Sequence, residues 1–341
     1  MTAHDVRDLT IIGAGPAGLF GTFYAGMRGI SVRLVDALPE LGGQLTALYP
    51  EKYIFDVAGF PKVLAKDLVK GLVQQAMQFN ASAHLAQEVT GLVREQEGGR
   101  VVFGLQTPDG EYWSRAILIT AGIGAFQPRK LPLDDYDHWV GRGLFDKVLS
   151  PVAFEDQRVL IVGGGDSACD WVLNLQGVAS SVTLVHRRDA FRAHQATLDQ
   201  VHALAAAGKV SLRTFQEVKA IHGDERVRSV TLLNTKTKGE ERVEVDALIA
   251  LLGFISRLGA IANWGLALEN DSIVVNQRME TNEAGIYAAG DVVTYPGKLK
   301  LIATGFGEAC TAVNLAVHFI YPDRKTFPGH SSNMAMFGGT P

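Results

Sequence analysis

Residues 9–18 read LTIIGAGPAG and residues 159–168 read VLIVGGGDSA. Each stretch starts as a short run of aliphatic and β-branched residues, the pattern of a buried parallel strand, and breaks at once into glycines. Helical stretches follow, LFGTFYAGMR at 19–28 and CDWVLNLQGV at 169–178, and then second apolar runs, ISVRLV at 30–35 and SVTLV at 181–185. Strand, glycine turn, helix and strand together form the βαβ unit that binds a dinucleotide, and this chain carries it twice. Gly13 permits the tight turn, Gly15 lets the backbone approach a pyrophosphate, and Gly18 lets the helix pack on the strand. The phosphates then meet free N–H groups and the positive end of the helix dipole. In the second copy these positions are Gly163, Gly165 and Ala168, alanine being an accepted third residue, and Asp166 belongs to the same loop.

The copies diverge where the nucleotide is chosen. In both, the second strand ends 23 residues beyond the first glycine, from Gly13 to Asp36 and from Gly163 to His186. A carboxylate at Asp36 accepts hydrogen bonds from ribose hydroxyls and repels a 2′-phosphate, so the first site suits FAD or NAD. His186 is followed by Arg187 and Arg188, with Arg192 one turn on. Guanidinium forks pair with phosphate oxygens, so the second site reads as one for NADPH.

Composition sets the frame. The chain has 341 residues, 47% hydrophobic and 20% charged, which is globular rather than disordered. At about 150 residues per domain, this length suits two domains. A net charge of −4 argues against a general nucleic-acid binder. Cys169 and Cys310 are too few and too far apart for a CxxC pair, a zinc cluster or a disulfide framework, and no metal site is expected. MTAHDVRDLT lacks the apolar core of a signal peptide, and no run reaches the ~18–20 apolar residues of a membrane span, so a cytoplasmic protein is expected.

Taken together the sequence resembles the thioredoxin-reductase-like flavoproteins, and among them the bacterial ferredoxin(flavodoxin)–NADP⁺ reductases of that fold. The resemblance covers nearly the whole chain. It rests on GAGPAG at 13–18, GGQL at 42–45, LYPEKYIFDVAGFP at 48–61, ITAGIGAFQPRKL at 119–131, GGGDSACDW at 163–171, HRRDAFRAH at 186–194 and YAAGD at 287–291. It implies an α/β, three-layer architecture of two Rossmann-like domains. The FAD domain spans 1–120 and 255–341, with a C-terminal extension at 321–341, and the NADPH domain, 125–250, is inserted in it. ITAGIG at 119–124 and LLGFIS at 251–256 are the expected crossovers. One departure separates the chain from thioredoxin reductase itself. The stretch GRGLFDKVLSPVAFEDQ at 141–157, where that enzyme carries its redox pair, contains no cysteine. Disulfide exchange needs an attacking thiolate, so electrons must leave the flavin directly.

The resemblance also implies site residues. Asp291, at the end of TNEAGIYAAGD, bonds the ribityl or pyrophosphate part of FAD, which selects FAD for the first site. A helix from about Thr304 points its N-terminus at the flavin. Gln44 bonds the flavin region and Tyr49 lies flat on one face of its ring. Val89, in a strand around 85–93, touches the adenine through its backbone, and Phe126 flanks the cofactor near the crossover. As isolated letters, Val89 and Phe126 read equally as core residues. The tail YPDRKTFPGHSSNMAMFGGTP could be a disordered Gly/Pro terminus. The resemblance instead has His330 cover the second flavin face from a partner subunit, with Ser331 and Ser332 at the flavin edge.

The activity so implied is hydride transfer from nicotinamide C4 to flavin N5, followed by single electrons to ferredoxin or flavodoxin, or the reverse. The cofactors carry the chemistry, and no general base is needed. Tyr49 and His330 would gate access to the ring. A homodimer is expected, and the partner is a small acidic carrier drawn by a local basic patch, with Lys62, Lys298 and Lys300 as candidates. Two other readings remain open: an NADPH oxidase or diaphorase with a small-molecule acceptor, and a non-catalytic FAD-binding sensor.

Overall fold

The computed structural model describes residues 4–122, 124, 127–146, 148, 150–255, 258–326 and 329–334. The chain divides into two compact units, Met1–Ala125 with Ser256–Pro341, and Phe126–Ile255.

In the first unit the strand Val6–Ile12 lies in the middle of a seven-stranded sheet. It pairs in parallel with Val32–Val35 on one side and Gly110–Ile119 on the other, and Ser82–His84 extends the sheet beyond Val32–Val35. Gly110–Ile119 is long enough to serve two neighbours along one edge. Its first half pairs antiparallel with Arg100–Thr107, and its second half pairs in parallel with Ile286–Ala288. Thus the returning C-terminal segment completes the sheet begun at the N-terminus. Leu9, Ile11, Leu34 and Ile117 are fully buried, as expected for strands covered on both faces.

Helix Pro16–Met27 follows the first strand, with Pro16 at its opening position, where the missing N–H costs nothing. It packs against helices Ala65–Ala76 and Ile302–Ile320. The second contact is close because both faces are small: a Cβ on Gly21 would lie 3.6 Å from the Ala309 Cβ. The helix expected from about Thr304 begins two residues earlier, at Ile302.

The second unit holds a wholly parallel five-stranded sheet, ordered Leu144–Phe145, Ala247–Leu251, Arg158–Gly163, Ser181–His186 and Ser211–Thr214. Alternate residues of the central strand feed two cores. Val159 and Ile161 pack with Cys169, Val172 and Leu175 of helix Asp166–Leu175. Leu160 and Val162 pack with Val218, Val230 and Leu232 of a three-stranded antiparallel sheet. Helices, parallel sheet and antiparallel sheet form three layers, as the period-2 alternation of a strand buried on both sides requires.

No helix among the described residues is long and apolar enough to cross a membrane.

Candidate functional site

The glycines of the first loop divide by what surrounds them. Gly13 has φ +106°, and a Cβ there would stand 2.5 Å from the Thr120 carbonyl oxygen. At Gly18 a Cβ would lie 1.8 Å from the Gly13 carbonyl oxygen, so helix and turn touch through this position. Gly15 differs: it caps the helix with an ordinary φ of −71°, and nothing lies within 4 Å of where its Cβ would be. Two glycines are demanded by protein packing and one faces open space at a helix N-terminus. That is the arrangement expected of a phosphate cradle.

Asp36 is 9% exposed at the end of the second strand. One carboxylate oxygen accepts the Ala14 N–H at 2.5 Å and the other accepts the Leu38 N–H at 2.7 Å. Each oxygen keeps a lone pair for a ribose hydroxyl. Burial raises the Asp36 carboxyl above its usual range, against the opposing effect of those two N–H bonds. The backbone of Asp36 also accepts the Gln87 N–H at 2.9 Å, tying in the segment that carries Val89. Val89 is buried, but in a loop between strands Ser82–His84 and Gly91–Glu97 rather than in a strand. Its segment turns there because Ala86 has φ +53°.

The GGQL motif stands directly on this loop. The Gly42 N–H donates to the Ala14 carbonyl at 2.9 Å, and a Cβ on Gly43 would lie 2.8 Å from the Gly15 Cα. Gln44 opens a short helix, Gln44–Leu48, and accepts a hydrogen bond from the Tyr49 hydroxyl at 3.2 Å. Burial, reinforced by the Asp291 charge, pushes the Tyr49 phenol up to about 12, so its ring stays neutral. Asp291 follows Gly290, and a Cβ on Gly290 would lie 3.2 Å from the Ala17 Cβ of the first helix. Thr304 sits in the first turn of Ile302–Ile320, and Gly305 in that turn approaches both Ala17 and Gly290. The structure therefore gathers Gly13, Gly15, Gly18, Asp36, Gln44, Tyr49, Asp291 and Thr304 in one unit, around two helix N-termini.

The second loop repeats the division. A Cβ on Gly163 would meet the Ala168 Cβ at 2.6 Å and the Leu251 carbonyl oxygen at 2.7 Å, while Gly165 caps its helix with nothing within 4 Å. Asp166 accepts the His194 N–H at 2.8 Å, and the Arg192 N–H donates to the Gly164 carbonyl at 2.7 Å, so the arginine segment closes back on the loop. Arg187, Arg188 and Arg192 are all exposed, and no ion pair neutralises them among the described residues. Burial and these three arginines hold the His186 imidazole below its usual range, and its ring packs 4.7 Å from that of Phe191. Beyond the second strand, the first unit thus presents a bonded carboxylate and the second presents guanidiniums with free forks.

His330, Ser331 and Ser332 are exposed in and beside the short turn Ser331–Asn333. The chain before them is pinned by Arg28, whose guanidinium donates to the Lys325 carbonyl at 2.6 Å and the Thr326 carbonyl at 2.8 Å. Phe126 lies outside the described residues. Among the basic-patch candidates, Lys62 and Lys300 are exposed, but the Lys298 side chain is only 6% exposed and is paired with buried Glu308. Cys169 and Cys310 are free and fall in different units, and burial pushes each thiol up to about 11. Among the described residues no three His, Cys, Asp or Glu side chains could hold a metal ion.

Sequence reasoning missed Arg28, Gly43 and Glu308. Gly43 lay inside a quoted motif and could have been found there, whereas Arg28 and Glu308 act through contacts remote in sequence.

Residues 7–313 match the family described as pyridine nucleotide-disulphide oxidoreductase. A curated relative from Thermus thermophilus, named ferredoxin–NADP reductase, is 51% identical over 337 residues, covering 98% of this chain and 99% of its own. Another of that name, from Halalkalibacterium halodurans, is 50% identical, covering 97% of this chain and 98% of its own. Among solved structures, Lactococcus lactis thioredoxin reductase superposes with a TM-score of 0.76 at 25% identity, over 93% of this chain and 99% of that one. Thioredoxin reductase from T. acidophilum gives 0.74 at 25% identity, over 92% and 97%. The chain belongs to the pyridine nucleotide-disulphide oxidoreductase family, in the group whose curated members are named ferredoxin–NADP reductase.

Proposed function

We propose that this chain is an FAD-dependent reductase that exchanges electrons between NADP(H) and a one-electron carrier of the ferredoxin or flavodoxin type, with no protein disulfide as relay. The observation that carries the reading is the contrast between the two loops. The first offers open space at Gly15 and a buried carboxylate with one lone pair spare on each oxygen, which fits an unphosphorylated ribose. The second offers the same open space at Gly165 beside three exposed arginines, which fits a 2′-phosphate.

Bound FAD supplies the conversion between two-electron and one-electron chemistry. The residues of the chain supply position. The two helix N-termini at Pro16 and Ile302 direct N–H groups and positive dipole ends at the cofactor side of the sheet. Asp36 holds the adenosine ribose, and Asp291 the ribityl or pyrophosphate portion. Tyr49, kept neutral by burial and fixed by Gln44, is a flat apolar surface for the ring that excludes water without adding charge. At neutral pH the Cys169 and Cys310 thiols stay protonated, so neither is poised to attack a disulfide. His330, with Ser331 and Ser332, covers the other ring face from a second subunit. The assembly is a homodimer working in the cytoplasm.

Anaerobic mixing of the purified holoprotein with NADPH tests the reading. Rapid bleaching of the flavin absorption by NADPH, and reoxidation by added ferredoxin or flavodoxin, is the expected outcome. Bleaching followed by reoxidation only with oxygen or quinone would favour a diaphorase, and no bleaching would leave a binding module.

A further inference from the structure

Behind the Gly290–Asp291 turn lies a buried ion pair that flavin contact alone does not explain. Glu308, on the second turn of Ile302–Ile320, is 5% exposed, and its partner Lys298 has a side chain 6% exposed. One Glu308 oxygen accepts the Gly290 N–H at 2.7 Å. The other accepts the Lys298 ammonium and the Tyr295 hydroxyl, each at 2.6 Å. The turn that delivers Lys298 is itself closed by its N–H donating to the Tyr295 carbonyl at 3.0 Å.

A buried ion pair is a poor device for stability, because desolvating two charges consumes most of their attraction. Apolar residues of the same volume would hold the fold at least as well. What this pair does that they could not is grip a backbone N–H. That N–H belongs to Gly290, whose φ of +84° sets the direction in which the next residue, Asp291, leaves the turn. The electrostatics agree with the geometry. Burial raises the Asp291 carboxyl, Lys298 and Lys300 lower it, and Glu308 raises it, so the charge of the pair is felt at Asp291. Without Lys298, the buried Glu308 carboxylate would be left uncompensated, with the Asp291 charge adding to the cost.

We propose that Lys298 and Glu308 are positioning residues for flavin binding: the carboxylate fixes the Gly290–Asp291 peptide, and the ammonium neutralises it so that two acids can stand side by side. The proposal rests on the reading of this unit as the FAD site. It predicts a charge effect, which separates it from simple packing. Gly290 and Tyr295 bond the pair directly; the neighbouring Asp291 carboxyl is influenced by Lys298, Lys300 and Glu308, and its charge in turn raises the Tyr49 phenol.

The test is FAD titration of the flavin-stripped protein by fluorescence quenching from pH 5.5 to 8.5, for the wild type, Lys298→Met, Glu308→Gln and the double variant, with urea unfolding of each apo form alongside. Wild-type affinity should be flat across this range. Lys298→Met should weaken FAD binding about tenfold at pH 8 and recover as the pH falls and the stranded carboxylate protonates. In the double variant a neutral amide still accepts the Gly290 N–H, so affinity should return to within about threefold of wild type and lose its pH dependence. Should Lys298→Met fail to fold, the double variant read against Glu308→Gln carries the comparison, and must again bind more tightly than the single variant. A double variant no better than the worse single variant, or pH-flat affinity in Lys298→Met, overturns the proposal. Wild-type protein that takes up no FAD at any pH overturns the site reading beneath it, a result the titration reports separately.

Discussion

Gly15→Ala separates a glycine kept for a ligand from glycines kept for the fold. The backbone there has φ −71°, which alanine adopts freely, and nothing lies within 4 Å of the added methyl. Two small effects oppose each other in the apo protein. Alanine reduces unfolded-chain entropy, worth about 0.4–1 kcal/mol, and is a poorer helix N-cap than glycine by a similar amount. The net change in apo stability should lie within about 0.5 kcal/mol of zero. Gly18→Ala meets the opposite situation, since its methyl would fall 1.8 Å from a backbone carbonyl oxygen that cannot rotate away. Helix and strand must part, at a cost of about 1–3 kcal/mol or more. For FAD the order reverses in diagnostic value. The Gly15 methyl occupies the approach of the pyrophosphate and removes at least one charge-assisted N–H contact, worth about 1.5–3 kcal/mol, or roughly 10- to 150-fold in affinity. Urea unfolding of the apo forms, paired with FAD titration, reads both quantities. A Gly15→Ala protein destabilised as much as Gly18→Ala, or one that binds FAD like the wild type, would refute the assignment of the open face to a phosphate.

In the second unit, Arg187→Ala with Arg188→Ala should raise the KM for NADPH by about 10- to 100-fold and change that for NADH by less than about threefold, as steady-state kinetics would record. Because these arginines are exposed, the wild-type KM for NADPH should also rise between low and high salt. Cys169→Ala combined with Cys310→Ala should keep carrier reduction within about twofold of wild type, the loss reflecting packing alone; a collapse of turnover would restore a thiol relay to the mechanism. Arg158 forks onto Asp246 at 2.9 and 2.8 Å and holds that carboxyl down to about 2. A carboxyl depressed in the folded state stabilises above its unfolded value and loses that contribution as the pH falls. The second unit should therefore lose about 1 kcal/mol between pH 4 and pH 2, the partial exposure of the pair keeping the figure small, and Asp246→Asn should abolish that part of the acid slope in circular-dichroism melts.

The glycine loops were legible because every level of the chain agrees there. The aliphatic runs, the glycines, the helices and the residues at the second strand end all point to one unit, and Asp36 stands at the offset that His186 takes in the second copy, just before Arg187 and Arg188, so the two ends serve opposite purposes. What escaped is long-range. Glu308 reads as an ordinary helical residue within GEACTAV, and only the fold brings its carboxylate to Gly290. Lys298 lies in a Pro- and Gly-bearing turn, TYPGKLK, that reads as exposed, yet its ammonium turns inward because a buried carboxylate awaits it. Val89 has strand-like chemistry but sits in a loop, because strand pairing resumes only at Gly91 and the preceding backbone is bent by Ala86. Helix Ile302–Ile320 began earlier than read since Leu301, an extended residue with no side-chain cap, marks its start without any Ser, Thr or Asp signal.

The central claim is that one chain joins a flavin to a phosphorylated nicotinamide and an external one-electron carrier without sulfur in between. Steady-state reduction of a ferredoxin and a flavodoxin, driven in parallel by NADPH and by NADH, tests it most directly. The account predicts turnover of at least one carrier with NADPH, at a kcat/KM far above that with NADH. Equal use of the two nucleotides, or NADPH oxidation that never reaches either carrier, would contradict it.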